Sequence, residues 1–220
     1  MINEANVSNN IPVFDDEFNT KLENLFKWRR DVRRFKTTPV AQKDIDYLLN
    51  IATFAPSVGN AQPWRFVMIE KPETRQLVMD NFDNSNEDAL SGFDGERASL
   101  YASLKLAGLK NAPVQMAIFT ETKPDEGHGL GRMTMPETLQ YSSVLAVYSM
   151  WLAARTLNLG IGWVSILDPK KISSDLETPN SWAFTAYLCI GYPEEEHIDP
   201  ELVRHGWQDR THLDGKVFYK

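Results

Sequence analysis

Cysteine is nearly absent from this chain: Cys189 is the only one in 220 residues. A single thiol excludes an intramolecular disulfide and any thiol-rich metal site. It sits in an apolar, strand-like run, which predicts a buried and inert side chain. Long hydrophobic runs are missing too. The longest, Val144 to Ala154, contains Ser149 and is too short to cross a bilayer. Positive charge is in deficit, with 23 Lys and Arg against 30 Asp and Glu and a formal net charge of −7. That balance argues against a nucleic-acid binder, which needs a broad basic face. The N-terminus is polar, with Asn3, Glu4, Asn6, Asn9 and Asn10 where an apolar leader would stand. The four histidines, His128, His197, His205 and His212, are scattered. No pair has the spacing of a zinc site on one helix, and no Ser-His-acid set is apparent, so all four are read as surface or loop residues. Together these absences predict a cytoplasmic protein with no membrane, nucleic-acid or metal partner.

What is present is enough apolar material for a core. Hydrophobic residues make up 42% of the chain, and its length fits one domain spanning 1–220. Against the acidic background one stretch stands out: Trp28-Arg29-Arg30-Asp31-Val32-Arg33-Arg34-Phe35. Four arginines and one aspartate fall within six consecutive positions. Guanidinium groups are planar and permanently charged, and they grip phosphate through paired N–H donors. Taken alone, the stretch is either such a grip or a solvated basic turn with weak surface ion pairs.

Residues 1–14 read as a flexible arm. A helix begins at Asp15 or Asp16, with Phe18, Leu22, Leu25 and Phe26 on one face, and delivers the chain into the arginines. Thr37-Thr38-Pro39 breaks the chain. A second helix runs from about Gln42 to Thr53. Ala55 to Trp64 is a compact loop in which Ser57, Asn60 and Gln62 offer hydrogen-bonding groups. It either presents an amide to a ligand or simply turns a helix into a strand. Strands are expected at Trp64–Glu70, Val114–Thr120, Ile161–Leu167 and Ala183–Tyr192, with Val217-Phe218-Tyr219 as an edge strand. Helices are expected at Glu73–Phe82, Glu96–Leu109 and Thr138–Asn158. The polar segment from Asn81 to Gly95 predicts a mobile connection, and the region 81–101 is a candidate lid. Gly127-His128-Gly129-Leu130-Gly131 lacks phosphate-loop spacing. The helix from Thr138 is apolar on nearly every side and so needs cover on every side, for which a partner subunit is natural. The pattern is α+β: a mixed central sheet wrapped by helices, with no regular βαβ series.

Five segments carry a resemblance that covers nearly the whole chain after the arm. They are Arg29 to Phe35, Ala55-Pro56-Ser57 through Gln62-Pro63-Trp64, Gly160-Ile161-Gly162-Trp163-Val164-Ser165, Ile190-Gly191-Tyr192-Pro193 and Gly206-Trp207-Gln208-Asp209-Arg210. In this order and spacing they resemble the nitroreductase superfamily, and within it the branch of 5,6-dimethylbenzimidazole synthases. The resemblance implies an intertwined homodimer with FMN at the subunit interface, each site built from both chains. It assigns Arg29, Arg30 and Arg33 to the FMN phosphate and ring edge, Arg210 to a second phosphate contact, and Ser57 and Asn60 to the flavin. Gly162, Trp163 and Ser165 would lie against the ring, Ser165 near N5. Asp31 stands where ordinary members carry Ser, and a carboxylate there marks the branch.

The branch's reaction implies that reduced FMN is a substrate. With O₂ it is fragmented to 5,6-dimethylbenzimidazole, the lower ligand of cobalamin, and the sugar phosphate leaves as erythrose 4-phosphate. NAD(P)H is the indirect source of electrons for FMN in this reading; the route by which they reach it stays open, with a separate flavin reductase as one candidate partner. Asp31 is expected to stay ionised beside its arginines and to accept a proton. Two rivals remain open. An NAD(P)H-dependent nitro- or flavin reductase would keep its FMN through many turnovers. A non-enzymatic flavin-binding protein would leave it intact in air.

Overall fold

The computed structural model describes residues 11–90 and 108–220. Four strands form the centre: β1 (Trp64–Met68), β2 (Val114–Glu121), β3 (Gly160–Val164) and β4 (Trp182–Gly191). Their order is β1-β2-β4-β3, and every neighbouring pair is antiparallel. β2 is buried along nearly its whole length, as expected for a strand covered on both faces. Its side chains alternate between two layers. Met116 and Ile118 join the cluster that includes Leu48, Val147, Met150 and Leu188. Ala117 and Phe119 join the opposite one, with Phe35, Val78, Ile172 and Tyr187.

Seven helices are described. They are α1 (Asp16–Trp28), α2 (Gln42–Ala52), α3 (Pro72–Leu90), α4 (Gly108–Asn111), α5 (Thr138–Thr156), α6 (Pro169–Asp175) and α7 (Glu201–Arg204). α2 and α5 supply one layer, α3, α4 and α6 the other. Each buried Leu or Ile contributes roughly 1.5–3 kcal/mol, while an exposed ion pair gives about 0–1 kcal/mol. The apolar layers therefore hold the sheet.

α1 starts at the Asp15 cap, whose Oδ1 accepts the Phe18 N–H at 2.8 Å. None of its residues is buried. α5 buries one face, including Ala146, Val147, Met150 and Ala154, and exposes Tyr141, Val144, Leu145 and Tyr148 on the other. The apolar cover expected for this helix is thus complete on one side only within a single chain.

After α1 the arginine stretch lies along β3. The Val32 N–H donates to the Ile161 carbonyl at 3.0 Å, and Asp31 bridges Ile161 in parallel, the parallel element of an otherwise antiparallel sheet. Phe35 is fully buried and anchors the far end, where the Lys36 N–H donates to the Tyr192 carbonyl at 2.8 Å. Gly162 permits this approach, because a Cβ there would collide with the Val32 carbonyl oxygen. Gly162→Ala is expected to cost about 3 kcal/mol, the upper end for overpacking. A thermal melt should show Tm lower by roughly 6–12 °C. An unchanged Tm would mean the two backbones separate freely.

Several expectations need correction. The helix that begins near Glu73 does not stop at Phe82 but continues to Leu90. Asn81, the first residue of the segment expected to be mobile, is buried. It holds the loop before α6 by donating to the Asp168 carbonyl (3.2 Å) and accepting the Asp168 N–H (2.8 Å). Tertiary hydrogen bonds override its turn preference. The part of the candidate lid from 81 to 90 is therefore helical, and 91–101 lies outside the described residues, as do 1–10 of the arm and most of the helix expected at Glu96–Leu109. α6 went unanticipated although its signals are plain: Asp168 caps it, accepting from the N–H groups of Lys170 and Lys171, and Pro169 opens it. Val217-Phe218-Tyr219 is exposed and forms no strand, the β3 edge being taken by the arginine stretch.

Candidate active site

Arg29 and Arg30 are placed by aromatic side chains of α5. The Trp151 indole N–H donates to the Arg30 carbonyl at 3.1 Å. The Arg29 guanidinium carbon lies 5.0 Å from the Trp151 ring centroid and 5.9 Å from that of Tyr148, cation–π geometry that fixes the side chain without neutralising it. The Nε atoms of both Arg29 and Arg30 are buried with no hydrogen-bond partner. Burial is the main cause that pushes the Arg30 pKa down, and repulsion from Arg29 and from Arg210 adds to it. Arginine stays protonated regardless. Like charges gathered around unsatisfied donors are unfavourable unless an anion completes them.

Asp31 sits within this group. Its Oδ1 accepts the Trp163 N–H at 2.9 Å, and its Oδ2 lies 3.9 Å from Arg33 Nε. The carboxylate keeps 42% of its side-chain surface accessible, and Asp31 lines the cleft formed by the arginines. Burial pushes its pKa up. The Trp163 N–H, Arg33 and Arg29 oppose that rise without cancelling it, and Glu201 reinforces it. Sequence shows the arginines beside Asp31 but not the desolvation that acts against them. Behind Asp31, Cys189 is buried as expected, and burial pushes its thiol up to about 12, so it stays protonated.

The arginines form one wall of a cleft of about 160 Å³. That volume suits a phosphate-sized group, not a whole tricyclic ring. The opposite wall is the segment 195–204. Arg34 belongs to this wall, ion-paired to Glu195 and, at 3.1 Å, to Glu201. His197 Nε2 lies 3.0 Å from Glu195 Oε2. Hydrogen bonds from His197 and Arg34 hold the Glu195 carboxyl down at about 2. Glu195, His197 and Glu201 were not singled out from sequence. The usable signal was an acidic run, Glu194-Glu195-Glu196, complementary in charge to the arginine stretch.

Ser57 and Asn60 lie elsewhere in the chain. Ser57 Oγ accepts the Gln62 N–H at 3.1 Å, and Asn60 is exposed with a positive φ of 55°. Their loop is tied to α5 through the Val58 N–H, which donates to Ser142 Oγ at 3.0 Å. Ser142 and Trp151 are nine residues apart on α5, about 13 Å along its axis. Within one chain, then, the loop and the arginine cleft occupy different stations of the same helix. Gly59 and Gly127 meet backbone to backbone, and the adjoining Arg132 has a buried Nη1 with no partner, a donor that sequence reading missed. Ser165 is exposed one residue past β3, and among the described residues its hydroxyl has no hydrogen-bond partner. Arg210 is exposed and close enough to act on Arg30.

The nitroreductase family matches this chain over residues 26–192. The chain belongs to that family. Within it the chain falls in the 5,6-dimethylbenzimidazole synthase branch. It is 51% identical to a 5,6-dimethylbenzimidazole synthase of Rhodospirillum rubrum over 90% of this chain and 94% of the relative. It is 46% identical to one of Rhodobacter capsulatus over 89% and 95%. Among solved structures, an oxidised iodotyrosine deiodinase bound to FMN and 3-iodo-L-tyrosine superposes with a TM-score of 0.71 at 24% identity, covering 90% of this chain and all of that one.

For a nitroreductase-family enzyme, this chain brings Arg29, Arg30, Asp31, Arg33, Gly162, Trp163 and Arg210 into one neighbourhood. It leaves Ser57 and Asn60 apart from them. Among the described residues no group of three His, Cys, Asp or Glu side chains is placed to hold a metal ion, and no helix is long and apolar enough to cross a membrane.

Proposed function

We propose that this nitroreductase-family enzyme fragments reduced FMN with O₂, releasing 5,6-dimethylbenzimidazole and erythrose 4-phosphate. The observation that carries the reading is a carboxylate, Asp31, set among arginines whose buried Nε donors have no partner. A phosphate dianion fits those donors, as it fits the mutual repulsion of Arg29, Arg30 and Arg210. The relatives named 5,6-dimethylbenzimidazole synthase support the product, and the FMN-bound structural neighbour supports the ligand. Bound reduced flavin supplies the reactivity toward O₂.

The protein's own residues divide the remaining work. Arg29, Arg30, Arg33 and Arg210 hold the phosphate end. Asp31, fixed by the Trp163 N–H, accepts and returns a proton near the ribityl chain, and its raised pKa brings it closer to the range where both are efficient. Ser165 offers a hydroxyl without a protein partner to the ring near N5. Ser165→Gly is expected to slow product formation about 3- to 10-fold, the worth of one hydrogen bond, with little change in FMN affinity. Unchanged rates in a stopped-flow assay would remove that role.

The site is completed by a second copy of the chain. Support comes from the exposed row Tyr141, Val144, Leu145 and Tyr148 on α5 and from α1, which buries no residue. A homodimer through these faces would bring the 57–62 loop of one copy to the arginine cleft of the other. FMN bound far from that loop would remove the arrangement.

Aerobic incubation with excess chemically reduced FMN, followed by mass spectrometry, tests the reaction. Release of 5,6-dimethylbenzimidazole is expected. Recovery of all the flavin intact, with NAD(P)H oxidised in the presence of a nitroaromatic, would instead identify a conventional reductase.

A further inference from the structure

The wall facing the arginines carries three carboxylates, Glu195, Asp199 and Glu201. Two are occupied. Glu195 pairs with Arg34, His197 and Arg204, and Glu201 with Arg34 and His205. Asp199 differs from both. It is exposed, its side chain makes no hydrogen bond or close ion pair with any described residue, and its charge reaches Arg30. It therefore lines the same cleft as Arg29 and Arg30, a carboxylate without a hydrogen-bonded or ion-paired partner among the described residues and within Coulombic reach of Arg30.

That placement has a consequence for what the cleft admits. A phosphomonoester ends where the arginines hold it, with both negative charges inside the cluster. A phosphate esterified onward has to extend further along the cleft, whose other lining is the 195–204 segment. In a pyrophosphate the next anionic group then comes nearest that lining, where Asp199 repels it and no unpaired cation in this wall compensates. Arg34 and Arg204 already face Glu195.

We propose that Asp199 is a specificity residue that admits a flavin ending in a phosphomonoester and turns away one extended through a pyrophosphate. This rests on the reading of the cleft as the FMN phosphate site.

Titration calorimetry with oxidised FMN and with flavin adenine dinucleotide separates the two ideas, because oxidised ligands are not turned over. The wild-type protein is compared with Asp199→Asn, Asp199→Lys and the control Glu194→Gln, whose carboxylate does not line the cleft. The ratio of dinucleotide Kd to FMN Kd should fall roughly 3- to 30-fold in Asp199→Asn, as expected for one unit of charge repulsion near a protein surface. It should fall further in Asp199→Lys and stay constant in Glu194→Gln. An equal ratio in all four proteins overturns the proposal. So does an equal shift in the control, or dinucleotide binding that stays undetectable in every variant, which would make exclusion purely steric. Failure of FMN itself to bind overturns the phosphate-site reading, and this proposal with it.

Discussion

Asp31→Asn should bind FMN and yet lose product formation by about 100- to 10,000-fold, the usual contribution of a positioned acid–base group. The substitution preserves shape and an acceptor for the Trp163 N–H, so the arginine stretch should keep its place on β3. Only the proton-accepting function is removed. FMN affinity should hold or improve, because a negative charge leaves the phosphate's surroundings. Stability offers an independent check. The folded pKa of Asp31 is raised, so the folded state binds its proton more tightly than the unfolded chain does. The ionised carboxylate therefore disfavours folding, and the penalty grows as pH climbs from the ordinary carboxylate range, about 3.9, through the raised value. Ligand-free Asp31→Asn should melt above the parent protein at neutral pH, and the gap should close as the pH falls below that range. Full product formation by the variant would remove Asp31 from the chemistry.

Arg30→Ala should weaken FMN binding by roughly 10- to 100-fold, corresponding to loss of one or two charge-assisted hydrogen bonds to phosphate. Riboflavin, which has the ring but no phosphate, serves as the comparison, and its affinity should change little. The ligand-free variant should melt no lower than the parent protein. Arg30 is depressed in pKa by burial and by Arg29 and Arg210, so its charge disfavours the empty folded state. If both flavins weaken equally, Arg30 is a structural residue and the phosphate lies elsewhere.

Much of the fold was legible because its signals are local. β2 reads as a strand from its apolar run, α1 and α2 as helices from their periodicity, and α5 from the length of its apolar stretch. The arginine stretch stood out because positive charge is concentrated there in an acidic chain, but a role for Asp31 was readable only through the family resemblance. The opposing wall did not stand out. Glu195, His197 and Asp199 are some 160 residues further along, and it is the Lys36–Tyr192 and Arg34–Glu194 backbone hydrogen bonds, with the ion pairs of Arg34 to Glu195 and Glu201, that bring the two segments together. Trp151 and Tyr148 were read as helix packing, and their hold on Arg29 depends on where the stretch lands. The raised pKa of Asp31 was illegible for a related reason: sequence shows neighbouring charges but not desolvation. The length of α3 was misjudged because Asn81 finds a partner, Asp168, that composition cannot reveal.

A crystal structure of Asp31→Asn with bound FMN tests the central claim most directly, since this variant should hold its ligand without consuming it. Phosphate oxygens are expected within hydrogen-bonding distance of the Nε atoms of Arg29 and Arg30. The side chain at position 31 should face the ribityl chain, with the 57–62 loop of a second copy against the ring. A phosphate bound away from those arginines, with position 31 turned from the flavin, would contradict it.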